Sequence, residues 1–215
     1  RAIFKDSMRT RLIECGVATP WGIQVTEDNV GDVAAVRDML REIDAPILIK
    51  PSDASGGKGA SIVREPGDVE RAIRMAGSVS YNRKLIAEEY VSGSVIGVES
   101  VTQHGRCIPI TIADKDIGAP PYCVTIGVIA PSSLPQSIQN RVLDTNAAAI
   151  KALEIDTGPT HIDMVIGEDG IPKVIDVGPR LAGGPITFEI IPRTMRIDLM
   201  TYVVKAAFGQ LAPIE

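Results

Sequence analysis

An α+β fold is predicted for this 215-residue chain by three observations. Short apolar runs at 47–50 and 60–63 flank a glycine-rich turn, helical spacing surrounds them at 30–43 and 66–76, and a later series of strands closes with an Asp169-Gly170 turn. The length allows one large domain or two small ones, with enough chain to bury a core without staples.

In chain order, Met8, Leu12 and Cys15 share a helical face, and Gly16 ends that helix before the extended segment 17–21. A second helix is expected over 30–43. The runs 47–50 and 60–63 read as strands, and 66–76 reads as a helix because Pro66 opens it and Val69, Ile73 and Ala76 recur at helical spacing. Strands follow at 85–91, 95–102 and 107–113, then a helix over about 136–153 that leads into the hairpin.

Bulk properties exclude several classes of function. A formal net charge of -5 leaves no basic footprint for nucleic acid. Three scattered cysteines, Cys15, Cys107 and Cys123, favour neither a disulfide framework nor a zinc ribbon, and fit a reducing compartment. His104 and His161 lack metal-ligand spacing and are read as structural. No stretch approaches the ~20 apolar residues of a membrane span and the start lacks a signal-peptide core, so no membrane partner and a cytoplasmic location are expected.

Two segments carry chemistry. In Leu48 to Val63, Lys50 closes one apolar run, and Gly56, Gly57 and Gly59 form a loop whose backbone N–H groups can converge on a phosphate. The P-loop spelling fails because Gly59 follows Lys58, and the dinucleotide fingerprint fails because its third glycine would fall at Ile62. A plain glycine hairpin is the competing reading. In the second segment, a two-residue loop at Asp169-Gly170 would pair Glu168 with Ile171, Val165 with Val174 and Asp163 with Asp176. Opposed carboxylates about 5 Å apart repel, and a divalent cation resolves the conflict, with magnesium the best fit for oxygen donors. Removing one carboxylate is then expected to leave the metal-free fold at least as stable. A slipped register or a longer loop at a solvated hairpin end is the alternative.

The order of these motifs resembles the ATP-grasp superfamily from Lys5 to Gly209. Phe4-Lys5-Asp6 and 15–20 look like its opening helix, whose lysine contacts nucleotide phosphate. Ile49-Lys50-Pro51 and Ser55 to Gly59 resemble its second lysine and mobile phosphate loop. The segment 86–91, with Glu88, Glu89, Tyr90 and Val91, resembles the hinge that holds adenine through backbone groups. Lys115 corresponds to a further phosphate-side lysine, Asp163 and Asp176 to the magnesium-binding pair, and Arg180 to the catalytic arginine. Segments 120–131 and 180–186 are most similar to carboxylate-amine ligases, including amino-acid ligases, while carbamoyl-phosphate-synthetase-like and biotin-carboxylase-like members share the core.

That resemblance implies ATP with magnesium, or manganese in its place, and small-molecule carboxylate and amine substrates. It implies two α+β subdomains enclosing a nucleotide, a small lid at about 22–83 and a larger unit from 1–21 and 84–215. The domain that normally precedes the opening helix is not in this sequence, so a fragment is expected, completed by that domain or another subunit. Several positions depart from the family pattern. Val95 replaces a ribose-binding glutamate, aspartates replace the metal-binding glutamates, Gly178 replaces an asparagine ligand, and Thr125 and Val128 replace the glutamate and histidine of many amino-acid ligases. Lys5, Lys50, Lys115 and Arg180 favour an enzyme, which the resemblance implies to be an ATP-dependent carboxylate-amine ligase acting through an acylphosphate, whereas Val95 and Gly178 favour a nucleotide-binding module without catalysis.

Overall fold

The computed structural model describes residues 4–210, which form two antiparallel sheets, each covered by helices on one face. Helix α1, Lys5–Glu14, buries Met8 and Leu12 completely. Cys15 lies just past its end and is exposed, and Gly16 leaves the helix at φ 71°, which only glycine adopts without cost.

The smaller sheet holds β1 (Gly22–Thr26), β2 (Ile47–Pro51), β3 (Ser61–Val63) and β4 (Lys84–Glu89) in the order β1-β4-β2-β3. Helix α2, Val30–Ile43, begins at Asn29, whose side chain accepts from the Gly31 N–H. A 3-10 turn at Pro66–Asp68 leads into helix α3, Val69–Gly77. Alternation along the strands divides labour. Ile47, Ile49, Leu85 and Ala87 join Val36, Met39, Leu40, Val69 and Ile73 in a dry core beneath the helices. Leu48, Lys50 and Glu88 point from the opposite face into a cleft. Residues 84–89 were expected in the larger unit, yet β4 is an inner strand of the small sheet, because its apolar positions complete this core.

The larger sheet runs β7-β6-β5-β8-β9, with β5 Ser94–Gln103, β6 Arg106–Ile117, β7 Thr125–Ile129, β8 Gly158–Ile166 and β9 Pro172–Gly178. Helix α4, Gln136–Ala152, and α1 cover one face through Met8, Leu12, Val142, Ile150, Ile162, Met164 and Val174. A third apolar cluster joins Val101 and Ile110 to the C-terminal elements, a π-helical turn at Ile186–Ile190, α5 (Ile191–Met195) and α6 (Leu199–Ala207).

The β8–β9 hairpin departs from the expected turn. Its tip pairs Ile166 with Pro172 and Val165 with Lys173, enclosing residues 167–171. Within that loop the Gly170 N–H bonds to the Gly167 carbonyl, the Ile171 N–H bonds to the Asp169 carboxylate, and only Gly170 has positive φ. A two-residue type I′ turn needs positive φ at both central positions, and Asp169 spends its side chain on a local turn instead. Val165 therefore does not face Val174. Asp163 and Asp176 are nonetheless direct partners, because the register shifts between Asp163 and Met164 and leaves Ile175 as an extra residue on β9. Without that bulge the tip register would set Asp176 opposite Ile162, a residue of the dry core.

Candidate functional site

Between the facing sides of the two sheets, and bounded by the C-terminal elements, lies a cleft of about 980 Å³. It is lined by Lys5, Lys50, Ser55, Gly56, Gly57, Glu88, Glu89, Tyr90, Val91, Lys115, Asp163, Asp176 and Arg180. Gly59 is the one expected site residue that does not line it. A Cβ there would meet Val79 at 2.4 Å and Pro51 at 3.0 Å, and its φ is 72°, so this glycine lets the loop close on its own subdomain.

A buried ionic knot joins the sheets at the inner end. Glu88, from β4, receives Lys50 Nζ at 2.5 Å and Arg9 Nη1 at 2.7 Å, and Lys50 also donates to the Ile175 carbonyl at 3.1 Å. All three side chains are nearly inaccessible, and their mutual attraction offsets part of the desolvation cost of burying them. Lys5 bridges the other way, donating to the Ala54 carbonyl at 2.6 Å while pairing with Asp176 at 3.1 Å. The glycine loop is thereby tied to the metal-candidate strand.

The second cluster lies on the floor of the cleft. Lys115, on β6, crosses to the Asp163 carboxylate, and His161 places Nε2 2.9 Å from the same oxygen and Nδ1 against Glu99. Gly97, on the strand between β6 and β8, makes the crossing possible, since a Cβ there would sit 2.9 Å from the His161 ring and 3.0 Å from Lys115 Cε. Burial disfavours charge on the imidazole, but Asp163 and Glu99 outweigh it and push His161 up to about 9. Burial likewise opposes ionisation of Asp163, and His161 and Lys115 outweigh it, holding that carboxyl well below the usual range. With His161 protonated, the lining presents six cationic against four anionic side chains, a balance suited to polyphosphate.

The donor set fits a magnesium ion only in one form. Among the described residues no three His, Cys, Asp or Glu side chains are grouped to hold a metal. Asp163 and Asp176 supply two opposed carboxylates on the cleft wall. Magnesium is commonly bound through one or two carboxylates, its other positions going to water and phosphate oxygens.

The glycine loop touches the segment that joins β6 to β7 of the opposite sheet. Gly57, at φ 73°, lies so close that a Cβ would sit 2.2 Å from the Cys123 carbonyl oxygen. Nearby the Ile62 N–H donates to the Pro121 carbonyl at 2.9 Å, and Ser61 bridges to Tyr122. In the hinge, the Glu89 N–H is bonded to the Trp21 carbonyl and the Tyr90 N–H to the Pro46 carbonyl. The Glu89 carboxylate accepts from Lys173 and from the Trp21 N–H. Arg180 folds over Gly178, whose Cβ position lies 3.2 Å from the guanidinium, and donates to the Leu181 carbonyl.

Sequence reasoning missed Arg9, Glu99 and the ionic role of His161. The signal for His161 was its spacing: two residues before Asp163 on a strand, it had to share the cleft face. Glu99 and Arg9 carried no such signal, because their partners come from other elements.

Two sheet faces close on a cationic cleft, with a glycine loop over one end and opposed carboxylates on its wall, an arrangement suited to phosphate oxygens. The sequence profile of the ATP-grasp domain matches residues 7–184, and the chain belongs to that family. It is 28% identical over 210 residues to an uncharacterized protein, y4rH, of Sinorhizobium fredii, covering 96% of this chain and 42% of that protein. It superposes on an L-amino acid ligase from Bacillus licheniformis with a TM-score of 0.81 at 23% identity, over 100% of this chain and 48% of the other. The biotin carboxylase domain of the Hydrogenobacter thermophilus 2-oxoglutarate carboxylase, crystallised with MgADP and bicarbonate, gives 0.82 at 19% identity, over 100% and 47%. The chain thus spans less than half the length of these three proteins. Among the described residues no helix is long and apolar enough to cross a membrane.

Proposed function

We propose that this domain binds ATP in the inter-sheet cleft and, within the whole protein, uses it to join a carboxylate to an amine. The observation that carries the reading is the convergence of Lys5, Lys50, Lys115 and Arg180 with two opposed aspartates in one cleft, roofed by a glycine loop. Adenine belongs at the hinge. Since the N–H groups of Glu89 and Tyr90 are already bonded, its backbone contacts would come from the Val91 N–H and the hinge carbonyls. Glu89, at the edge of the cleft, is the candidate for the ribose hydroxyls in place of Val95.

Phosphoryl transfer asks for positioning and charge neutralisation more than covalent help. Lys50 is held by the buried Glu88 and Lys115 by the partly exposed Asp163, and both present fixed charge to the phosphates. The Ser55 to Gly57 backbone covers the phosphates and excludes water from the reacting end. Asp163 and Asp176 would hold magnesium, which supplies charge neutralisation at the phosphate oxygens. In the reaction the substrate carboxylate oxygen attacks the terminal phosphorus, the bond to ADP breaks, and an acylphosphate forms. The amine then attacks the acyl carbon, phosphate leaves, and the nitrogen loses a proton. Arg180 has no carboxylate partner among the described residues, and its planar fork is free to bind the carboxylate and then the acylphosphate.

A melting scan tests the nucleotide step. At a hundredfold excess over its dissociation constant Mg-ATP should stabilise the fold by about 2.7 kcal/mol; an unchanged midpoint at millimolar nucleotide contradicts the reading. ADP release by the whole protein that requires both an acid and an amine tests the ligase step. ATP binding without such turnover would instead support a nucleotide-binding module, the reading favoured by Gly178 beside the metal pair.

A further inference from the structure

Beyond the phosphate region the cleft changes character. Val128, Leu181, Ala182, Ile186 and Ile190 all line it, and all belong to the single apolar cluster that packs beneath α5 and α6. Arg180 stands immediately before this wall in the chain and lines the same cleft. The four acidic side chains of the lining are each already paired: Glu88 with Lys50 and Arg9, Glu89 with Lys173, Asp163 with Lys115 and His161, Asp176 with Lys5. No described carboxylate of the cleft is left to receive an ammonium group, while Arg180 is left to receive a carboxylate.

We propose that the acid substrate is an aliphatic monocarboxylate without an α-ammonium group, its carboxylate on Arg180 and its hydrocarbon tail against Val128, Leu181, Ile186 and Ile190. This rests on the ligase reading and names the class of acid for that site. A zwitterionic amino acid of the same skeleton would bring its ammonium to an apolar wall and an arginine, where desolvation is uncompensated and like charge repels it. An apolar wall rejects a substrate that adds a polar group by about a hundredfold, so a preference of that order is expected.

4-Methylpentanoate and leucine share a carbon skeleton and differ by that ammonium. The whole protein, with Mg-ATP and hydroxylamine, is assayed with each acid for ADP and acyl hydroxamate. The acid oxygen takes the terminal phosphoryl as ADP leaves; hydroxylamine nitrogen then attacks the acyl carbon, releasing phosphate and one proton. Hydroxamate should form from 4-methylpentanoate with kcat/KM at least tenfold above leucine, and Val128→Glu, which places a carboxylate on the wall, should shift the ratio toward leucine. A preference for 4-methylpentanoate below tenfold, or better use of leucine, by the unmutated protein overturns the inference and leaves the ligase reading standing. Hydroxamate from neither acid, nor from any other carboxylic acid in a mixed panel, overturns both.

Discussion

Lys50 was expected from sequence to hold ground-state phosphate and Arg180 to act in catalysis, and their surroundings differ in the same sense. Lys50 is 6% exposed and shares Glu88 with Arg9, so Lys50→Ala should lower stability by about 1–3 kcal/mol as well as weaken nucleotide binding. Arg180 is exposed and bonded only to its neighbour's carbonyl, so Arg180→Ala should leave the melting midpoint within the ~0.5 kcal/mol scatter of surface substitutions while reducing kcat. Denaturant melts and steady-state kinetics on both variants check the split; an Arg180 variant that loses only nucleotide affinity refutes its catalytic role. The buried imidazole gives a pH signature. His161 is raised from 6.5 to about 9, so the folded state holds its proton more tightly than the unfolded chain. Its contribution is complete below about pH 6.5 and is lost as the pH climbs through 9, a loss on the order of 3 kcal/mol. Asp163 works at the other end, its contribution present above about pH 3.8 and lost as the pH falls below it. Urea melts of the metal-free protein from pH 6 to 10 should show the alkaline decline, and His161→Gln should flatten it.

The β8–β9 hairpin decides where the paired carboxylates point, and it does so through its bulge. Repulsion between Asp163 and Asp176 was the sequence expectation, with relief when either became asparagine. The structure reverses this for Asp163, because Lys115 and His161 already neutralise it. Asp163→Asn should therefore destabilise the metal-free fold by about 3 kcal/mol, whereas Asp176→Asn, which loses the partly exposed contact with Lys5, should cost about 1 kcal/mol or less. Both should weaken magnesium-dependent nucleotide binding. Melts without metal, set beside titrations with and without magnesium, test both parts, and a stabilised Asp163→Asn variant would show that repulsion dominates after all. The glycine loop is the other functional element. Gly56 and Gly57 contribute no side chain to packing, and the contact of Gly57 with Cys123 is backbone to backbone. Amide exchange over residues 54–59 should slow on adding Mg-ATP, while that of β2 stays unchanged. Equal exchange in both states would remove the lid role.

Among the described residues the molecule has one core under each sheet's helices, a third beneath α5 and α6, and a charged seam between the sheets. The clusters beneath α2 and α3 and beneath α1 and α4 are separate, and the sheets face each other across polar contacts. The Glu88 knot, the Lys5 bridge and the Ile62 to Pro121 hydrogen bond supply much of the join. Such a seam can hold charge in a low-dielectric space and still open to exchange nucleotide. Arg9→Met would leave Glu88 with Lys50 as its one remaining cationic partner. It should weaken the seam, seen as faster amide exchange in both β4 and β9 with less change in α3; confinement of the change to α1 would mean that the knot does not couple the sheets.

Sequence alone determined the α+β class, the positions of α2, β2 and the core of β5, and the glycine loop; it named the Asp163 to Asp176 pair from a turn that does not form. Each rests on local periodicity, turn chemistry or motif order, which a chain carries without knowing its neighbours. Tertiary structure decided the rest. It placed β4 inside the small sheet, because strand membership depends on which apolar faces complete a core. It opened the hairpin tip to residues 167–171 and restored the aspartate pair by a bulge, because Asp169 closes a local turn and Ile175 is accommodated as an extra residue. It gave His161 a charge through Glu99 and Asp163 and gave Glu88 two cations, because a side chain's ionisation is set by groups distant in sequence and adjacent in space.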